Sequence, residues 1–171
     1  FNNRYQYLTM RAIVQKVTSA SVSVKNKLIS SIGCGLCVFI GISRNDTQKD
    51  IDYMINKILN LKIFDDGDSR WKKSVKDKNY EILCVSQFTL HSILKGNKLD
   101  FHLSMSSSLS KDFYNTFVKQ LGIAFCPNNV KDGVFGEYMQ VNIQNDGPVT
   151  IQLDSLPSLQ KTDDNNCNEA Q

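Results

Sequence analysis

A glycine–proline step, Gly147-Pro148, interrupts what otherwise reads as two consecutive β-strands near the end of a 171-residue chain. The runs on either side are Tyr138 to Ile143 and Val149 to Leu153, and the linking hexapeptide is Asn145-Asp146-Gly147-Pro148-Val149-Thr150. Proline has no N–H to give to a strand ladder, which makes its position between two strands unusual. The glycine before it removes a Cβ and lets another group approach the backbone closely. Asn, Asp, Gly and Pro are the usual turn formers, so one reading is a tight turn that joins two strands. The other reading is that the carbonyls of Gly147 and Pro148 are themselves a binding device. A second stretch, Ser86-Gln87-Phe88-Thr89-Leu90, bears on the choice.

The rest of the chain supplies more strands than helices. Ala12 to Val24 alternates at strand period, Lys25-Asn26-Lys27 reads as a turn, and Leu28 to Ile32 returns as a short strand. Leu36 to Ile42 is a continuous apolar run, the pattern of a strand buried on both faces. Asp46 or Thr47 opens a helix, with Asp50 completing a capping box, and Ile51, Met54, Ile55, Ile58 and Leu59 fall on one face. Ile63 and Phe64 suggest a short strand that ends at Asp65-Asp66-Gly67-Asp68, a solvated turn without the ligand spacing of a calcium loop. Glu81 to Leu90 reads as a strand, Lys95-Gly96-Asn97-Lys98 as a positively charged loop, and Ser104 to Ser108 as a polar connection. Lys111 to Leu121 is a second helix, with Phe113, Phe117 and Leu121 on one side, and Val134 to Ile143 is a strand. Many strands with two main helices indicate a single α+β domain.

Composition narrows the class. At 41% hydrophobic and 22% charged the chain is an ordinary globular one. No apolar run approaches the roughly 18 residues of a membrane span. A net charge of +3 permits an RNA partner without demanding one. Residues 1–9 lack the apolar stretch of a secretory signal and read as an N-terminal extension or a remnant of cloning, leaving residues 10–157 as the domain. Residues 158–171 are Gln, Lys, Asp and Asn with little apolar content, the composition of a disordered tail. Five cysteines without a signal favour reduced thiols in the cytoplasm.

Three groups invite chemistry. Cys34-Gly35-Leu36-Cys37 has redox spacing but runs into an apolar strand rather than a helix N-terminus, which favours core or turn cysteines. Thr89 and His91 would share a face at a strand end as nucleophile and base, yet no nearby carboxylate orients the imidazole. Trp71, among Arg70, Lys72, Lys73, Lys76 and Lys78, either tracks phosphates and stacks on a base or belongs to a solvated hairpin.

Taken together, Ser86-Gln87-Phe88-Thr89-Leu90 and Asn145-Asp146-Gly147-Pro148-Val149-Thr150 resemble the two marker motifs of the D-aminoacyl-tRNA deacylases, also called D-tyrosyl-tRNA deacylases. The resemblance runs from about Met10 to Leu153. It includes Met10 to Val17, similar to the family's first strand, and Phe135 to Val141, similar to the strand that leads into the Gly-Pro step. Lys16 stands where the family usually has arginine, and lysine lacks the planar multi-donor fork. Leu99 stands where proline is common, and the tail has no counterpart.

The resemblance implies a barrel-like mixed or antiparallel sheet, no cofactor, no metal and no membrane. It implies a homodimer in which a cis Gly147-Pro148 reaches into the partner's active site and takes the α-ammonium group of an aminoacyl ester on two carbonyls. An L-side chain would collide there, whereas a D-side chain points away, and glycine is accepted for want of a Cβ. Backbone N–H groups at Phe88 and Thr89 would hold the oxyanion, Ser86 and Gln87 would shape the pocket, and Phe135 and Met139 would line the terminal adenine's site. Lys16 would orient bound substrate, and the tRNA's own 2′-hydroxyl would assist the attacking water. The readings left beside this one are a protein that binds tRNA ends without turnover and a thiol redox protein using Cys34 and Cys37.

Overall fold

The computed structural model describes residues 9–155. The expected tail at 158–171 and all of the expected extension except Thr9 lie outside the described residues, and Thr9 itself is buried. The chain runs β1 (Arg11–Val24), β2 (Lys27–Ile32), β3 (Gly35–Gly41), α1 (Gln48–Asn60), β4 (Phe64–Asp66), β5 (Ser69–Lys73) and α2 (Val75–Lys78). It continues through β6 (Glu81–Ser86), a 3-10 turn (Phe88–His91), β7 (Ile93–Lys95), β8 (Lys98–Asp100) and α3 (Ser107–Ala124). A second 3-10 turn (Pro127–Asn129), β9 (Val130–Asp132) and β10 (Met139–Asp154) complete it.

The main sheet has the order β10-β1-β3-β6-β9, with β2 also paired to β1. Strand β1 is antiparallel to β10, β2 and β3, whereas β3–β6 and β6–β9 are parallel. Its first half pairs with β3 and its second half with β2, so both lie on one edge of it. The sheet curls until Ser30 Oγ of β2 donates to the Asp132 carbonyl of β9 at 2.7 Å, which nearly closes a barrel. The continuous apolar run in β3 is buried on both faces, as its pattern requires. Leu36, Val38 and Ile40 meet the helical layer, and Cys37 packs with Val17, Val22, Ile32, Leu83 and Val85 on the other side.

Helix α1 follows its sequence pattern closely. Thr47 and Asp50 form the reciprocal capping box, and the buried side chains are Ile51, Met54, Ile55, Ile58 and Leu59. Burying each apolar side chain is worth about 1.5–3 kcal/mol, so this face rather than helix propensity holds α1 in place. Tyr114, Phe117 and Leu121 are the buried large side chains of α3.

Several sequence expectations are corrected. Residues Tyr138–Ile143 and Val149–Leu153 are not two strands joined by a turn: β10 runs unbroken from Met139 to Asp154. Gln15 pairs with Thr150 and Val17 with Asn145, so Asp146 to Val149 stand opposite Lys16 alone as a bulge, where proline is tolerated. The run Glu81–Leu90 leaves the ladder after Ser86, because β3, its partner, ends at Gly41. Val134 to Tyr138 are not strand, and a short strand not read from the sequence, β9, precedes them. Helix α3 begins at Ser107 rather than Lys111, with Tyr114 buried and Phe113 only partly so. Asp65 and Asp66 belong to β4, which pairs with β5 as a hairpin turning at Gly67-Asp68.

Candidate functional site

A cleft of about 610 Å³ opens beside the end of β6. Ser86, Gln87 and Phe88 form one side, and Phe135 and Met139 form another. Ile40, Ile42, Val85, Met105 and Val141 supply apolar wall, Ser107 and Ser110 come from the start of α3, and Glu137 and Tyr138 stand at the rim.

The first side is set by where β6 stops. Gln87 donates its N–H to the Ile40 carbonyl at 2.7 Å, the last rung of the ladder, and the chain then coils into the turn at Phe88–His91. The turn closes through Leu90 N to Gln87 O at 3.3 Å and Ser92 N to Thr89 O at 3.0 Å. Its first two N–H groups, on Phe88 and Thr89, have no hydrogen-bond partner among the described residues, as expected at the start of a helical turn. Arg11 Nη1 donates to the Leu90 carbonyl at 2.9 Å while its Nε pairs with Asp154 at 2.9 Å. Ser104 Oγ donates to the Phe88 carbonyl at 3.0 Å, and the Phe88 ring meets Phe101 edge-on at 5.0 Å.

The second side depends on a missing side chain. A Cβ at Gly133 would lie 2.6 Å from the Met139 sulfur, so any larger residue there would push the thioether from its place. That sulfur accepts the Val134 N–H at 3.4 Å, while Phe135 tilts against Tyr114 at 5.6 Å. Tyr114 in turn donates its hydroxyl to Asp132 at 2.6 Å, and burial pushes both groups' pKa values up.

Thr89 and His91 do not form a dyad. They lie in the 3-10 turn rather than on a strand, and Gln87 Nε2 donates to the Thr89 hydroxyl. His91 is buried, its Nε2 lacks a partner among the described residues, and burial holds its pKa below the usual imidazole value. The cysteine pair is no better placed for chemistry. Cys37 lies in the core, where burial pushes its thiol up to about 12, so it is not a thiolate, and Cys34 is exposed ahead of β3. Among the described residues no group of three His, Cys, Asp or Glu side chains is placed to hold a metal.

Gly147, Pro148 and Lys16 lie elsewhere. Lys16 Nζ pairs with Asp146 at 3.0 Å and sits 5.5 Å above the Phe64 ring, in a separate small cleft of about 190 Å³. The Gly147-Pro148 peptide is cis, Gly147 has φ +123°, and both residues are exposed. From β10 to β6 is three strand spacings, and Leu36 and Ile40, at the levels of Lys16 and Ser86, are four residues apart along β3. At about 4.8 Å per strand and 3.3 Å per residue the bulge is on the order of 20 Å from the cleft of its own chain. Met105, Ser107, Ser110 and Tyr138 were not found from the sequence. The serine run reads from sequence as a connection, which hides the early start of α3, and Tyr138 reads only as the first residue of a strand.

Comparison with known proteins adds a family. The family model described as D-Tyr-tRNA(Tyr) deacylase matches residues 13–154. The chain is 58% identical over 147 residues to D-aminoacyl-tRNA deacylase 1 of Homo sapiens, spanning 85% of this chain and 70% of the human protein. It is 53% identical over 154 residues to D-aminoacyl-tRNA deacylase of Drosophila melanogaster, spanning 90% of this chain and 97% of that protein. Among solved structures it superposes on the c-Myc DNA unwinding element binding protein with TM-score 0.83 and 57% identity, over 86% of this chain and 99% of the other. A probable eukaryotic D-amino acid tRNA deacylase matches at TM-score 0.76 and 19% identity, over 85% of this chain and 99% of the other, a likeness of fold.

Proposed function

The chain belongs to the D-Tyr-tRNA(Tyr) deacylase family, and on that premise we propose that it is a hydrolase that frees D-amino acids from tRNA. The observation that carries the reading is the cleft itself. It gathers Ser86, Gln87, Phe88, Phe135 and Met139 from distant parts of the chain. In this reading the ring of Phe135 and the thioether of Met139 receive the terminal adenine, since both suit a base's π-face. The unpartnered N–H groups of Phe88 and Thr89 receive the oxyanion that forms when water adds to the ester carbonyl. The carbon–oxygen bond to the ribose then breaks, releasing the amino acid and the tRNA. The 2′-hydroxyl beside the ester assists the water, so the site needs no acid–base pair of its own.

Chirality is assigned to the Gly147-Pro148 bulge of a second copy. The bulge is exposed and lies too far from its own cleft to act there, whereas a two-fold dimer would bring each bulge to the other's cleft. Its two carbonyls accept hydrogen bonds from the α-ammonium group, and Lys16, paired with Asp146, holds the bulge in position. An L-amino acid would press its Cβ into the carbonyls, whereas a D-amino acid or glycine would not. On this reading the enzyme serves translation quality control in the cytoplasm.

The test is hydrolysis of D-tyrosyl-, L-tyrosyl- and glycyl-tRNA by the full chain. Rapid release from the D-ester, measurable release from the glycyl ester and near-inertness of the L-ester are expected. Equal rates on the two tyrosyl esters would overturn the chiral site, and tight binding of the D-ester without turnover would leave a tRNA-end binding protein.

A further inference from the structure

The hairpin β4–β5 stands apart from the main sheet and presents the chain's only tryptophan to solvent, with Trp71 54% exposed. The register slips between Phe64↔Lys73 and Asp66↔Ser69, so β5 bulges around Trp71. Trp71 has φ +58°, a left-handed backbone that a bulky side chain rarely adopts and that glycine would take without strain. Asp65 Oδ1 holds it there by accepting the Trp71 N–H at 3.0 Å. A strained backbone that turns a large aromatic outward is an outlier of the kind found at ligand contacts.

Charge sorts in the same direction. Lys73 pairs with Asp66 at 3.2 Å, and Lys62 pairs with Asp77. Arg70, Lys72 and Lys76 make no ion pair among the described residues, and Arg70 and Lys72 flank Trp71 directly. Asp65 and Asp68 of the hairpin also make no ion pair among the described residues, but between Leu61 and Tyr80 Lys and Arg exceed Asp by two, most of the whole chain's net charge of +3. The hairpin also adjoins the bulge. Phe64 of β4 lies beneath Lys16, and Asp65 and Asp146 line the same small cleft.

We propose that the β4–β5 hairpin docks the acceptor arm of tRNA, with Trp71 stacking on a base or sugar face and Arg70, Lys72 and Lys76 meeting phosphates. The proposal rests on the deacylase reading above, because the dimer that inserts Gly147-Pro148 into a partner's cleft also brings this hairpin beside the substrate's acceptor end. An exposed aromatic flanked by unpaired cations matches how proteins hold unstacked nucleotides, and the cations would make binding fall with salt.

The test compares wild type, Trp71→Gly and the triple variant Arg70→Ala/Lys72→Ala/Lys76→Ala as full chains. The probes are uncharged tRNA for binding, and D-tyrosyl-tRNA and D-tyrosyl-adenosine for hydrolysis. Trp71→Gly suits the left-handed backbone, so its melting temperature should equal or exceed that of wild type, which separates lost stacking from lost fold. Wild-type tryptophan fluorescence should change on saturation with tRNA. Trp71→Gly should weaken tRNA binding by about tenfold, the scale of one stacked base. The triple variant should lower the slope of log affinity against log salt by two to three, about 0.9 per phosphate contact. Both variants should lose kcat/KM on D-tyrosyl-tRNA and keep wild-type rates on D-tyrosyl-adenosine. Unchanged affinity in both variants, silent fluorescence at saturation, or a Trp71→Gly protein that has become monomeric would overturn the proposal, the last by making the hairpin a subunit contact. Failure of wild type to cleave either substrate would instead defeat the deacylase reading, while tRNA binding would still decide this one.

Discussion

The turn at Phe88–His91 and the bulge at Asp146–Val149 both leave the sheet, and they are held in opposite ways. The turn is tied down by its own chain: Gln87 to Ile40, Arg11 to Leu90, Ser104 to Phe88, and a buried His91 beneath it. The bulge has one ion pair among the described residues, Lys16–Asp146, and the partly buried Val149 against the core, while Gly147 and Pro148 lie exposed. One region is therefore organised before any ligand arrives, as a site that positions backbone donors must be. The other presents its backbone outward, and in the proposed reading a second copy of the chain completes it.

The strongest way to break that contrast is subunit complementation. Gly147→Phe and Phe135→Asp should each lower D-tyrosyl-tRNA hydrolysis by about a hundredfold or more, on the scale of losing a positioning contact. Mixing them with subunit exchange should restore about a quarter of the wild-type rate, because half the dimers then carry one intact site. No recovery in a mixture that mass spectrometry shows to contain heterodimers would mean that cleft and bulge serve the same subunit.

Loosening the turn should cost less. Arg11→Met removes the donors to Leu90 and Asp154, and urea unfolding should show a loss of about 1–3 kcal/mol. Hydrolysis should fall about tenfold, the rate equivalent of about 1.4 kcal/mol, with the D-over-L preference intact because the bulge is untouched. A lost preference would show that the two regions are coupled.

Acid should weaken the turn before the bulge. Burial holds the folded His91 pKa below its unfolded value, so as the pH drops the folded state binds fewer protons than the unfolded state does. The stability His91 contributes is full above about 6.5 and is lost as the pH falls below it. Wild type should lose a few degrees of melting temperature between pH 7.5 and 5.5 relative to His91→Gln. Asp46, pushed up to about 7 by burial, titrates alike in both proteins and cancels in the difference. Parallel profiles would remove His91 from the account.

The bulge's own anchor should matter modestly. Lys16→Gln should barely change unfolding, since a pair with an exposed carboxylate is worth about 0–1 kcal/mol. It should raise KM about threefold, and Lys16→Arg should restore it by offering a forked donor. The smallest effect is expected for Thr89→Ala. It removes a hydroxyl that accepts from Gln87 but leaves the backbone N–H groups, so single-turnover hydrolysis should stay within about threefold. A loss of roughly 10⁴-fold, the scale of a true nucleophile, together with normal cleavage of a 2′-deoxyadenosine substrate, would return the chemistry to this side chain.

Sequence alone was enough where local pattern and burial agree. The apolar run of β3, the face and cap of α1 and the alternation of β1 were legible because period and propensity there demand one arrangement. One side of the cleft was named through the motif at Ser86–Leu90, and Phe135 and Met139 through the resemblance to a family, whereas Met105, Ser107, Ser110 and Tyr138 were not. What only the tertiary structure decided is how the Gly-Pro step is used. Turn formers in a row read as a chain reversal, but β1 is long enough to pair with β10 on both sides of them, so the excess residues bulge out instead. The same holds for the turn after Ser86, which exists because β3 ends at Gly41 and leaves β6 without a partner. A strand's length is set by its neighbour's, and no window of local sequence contains the neighbour.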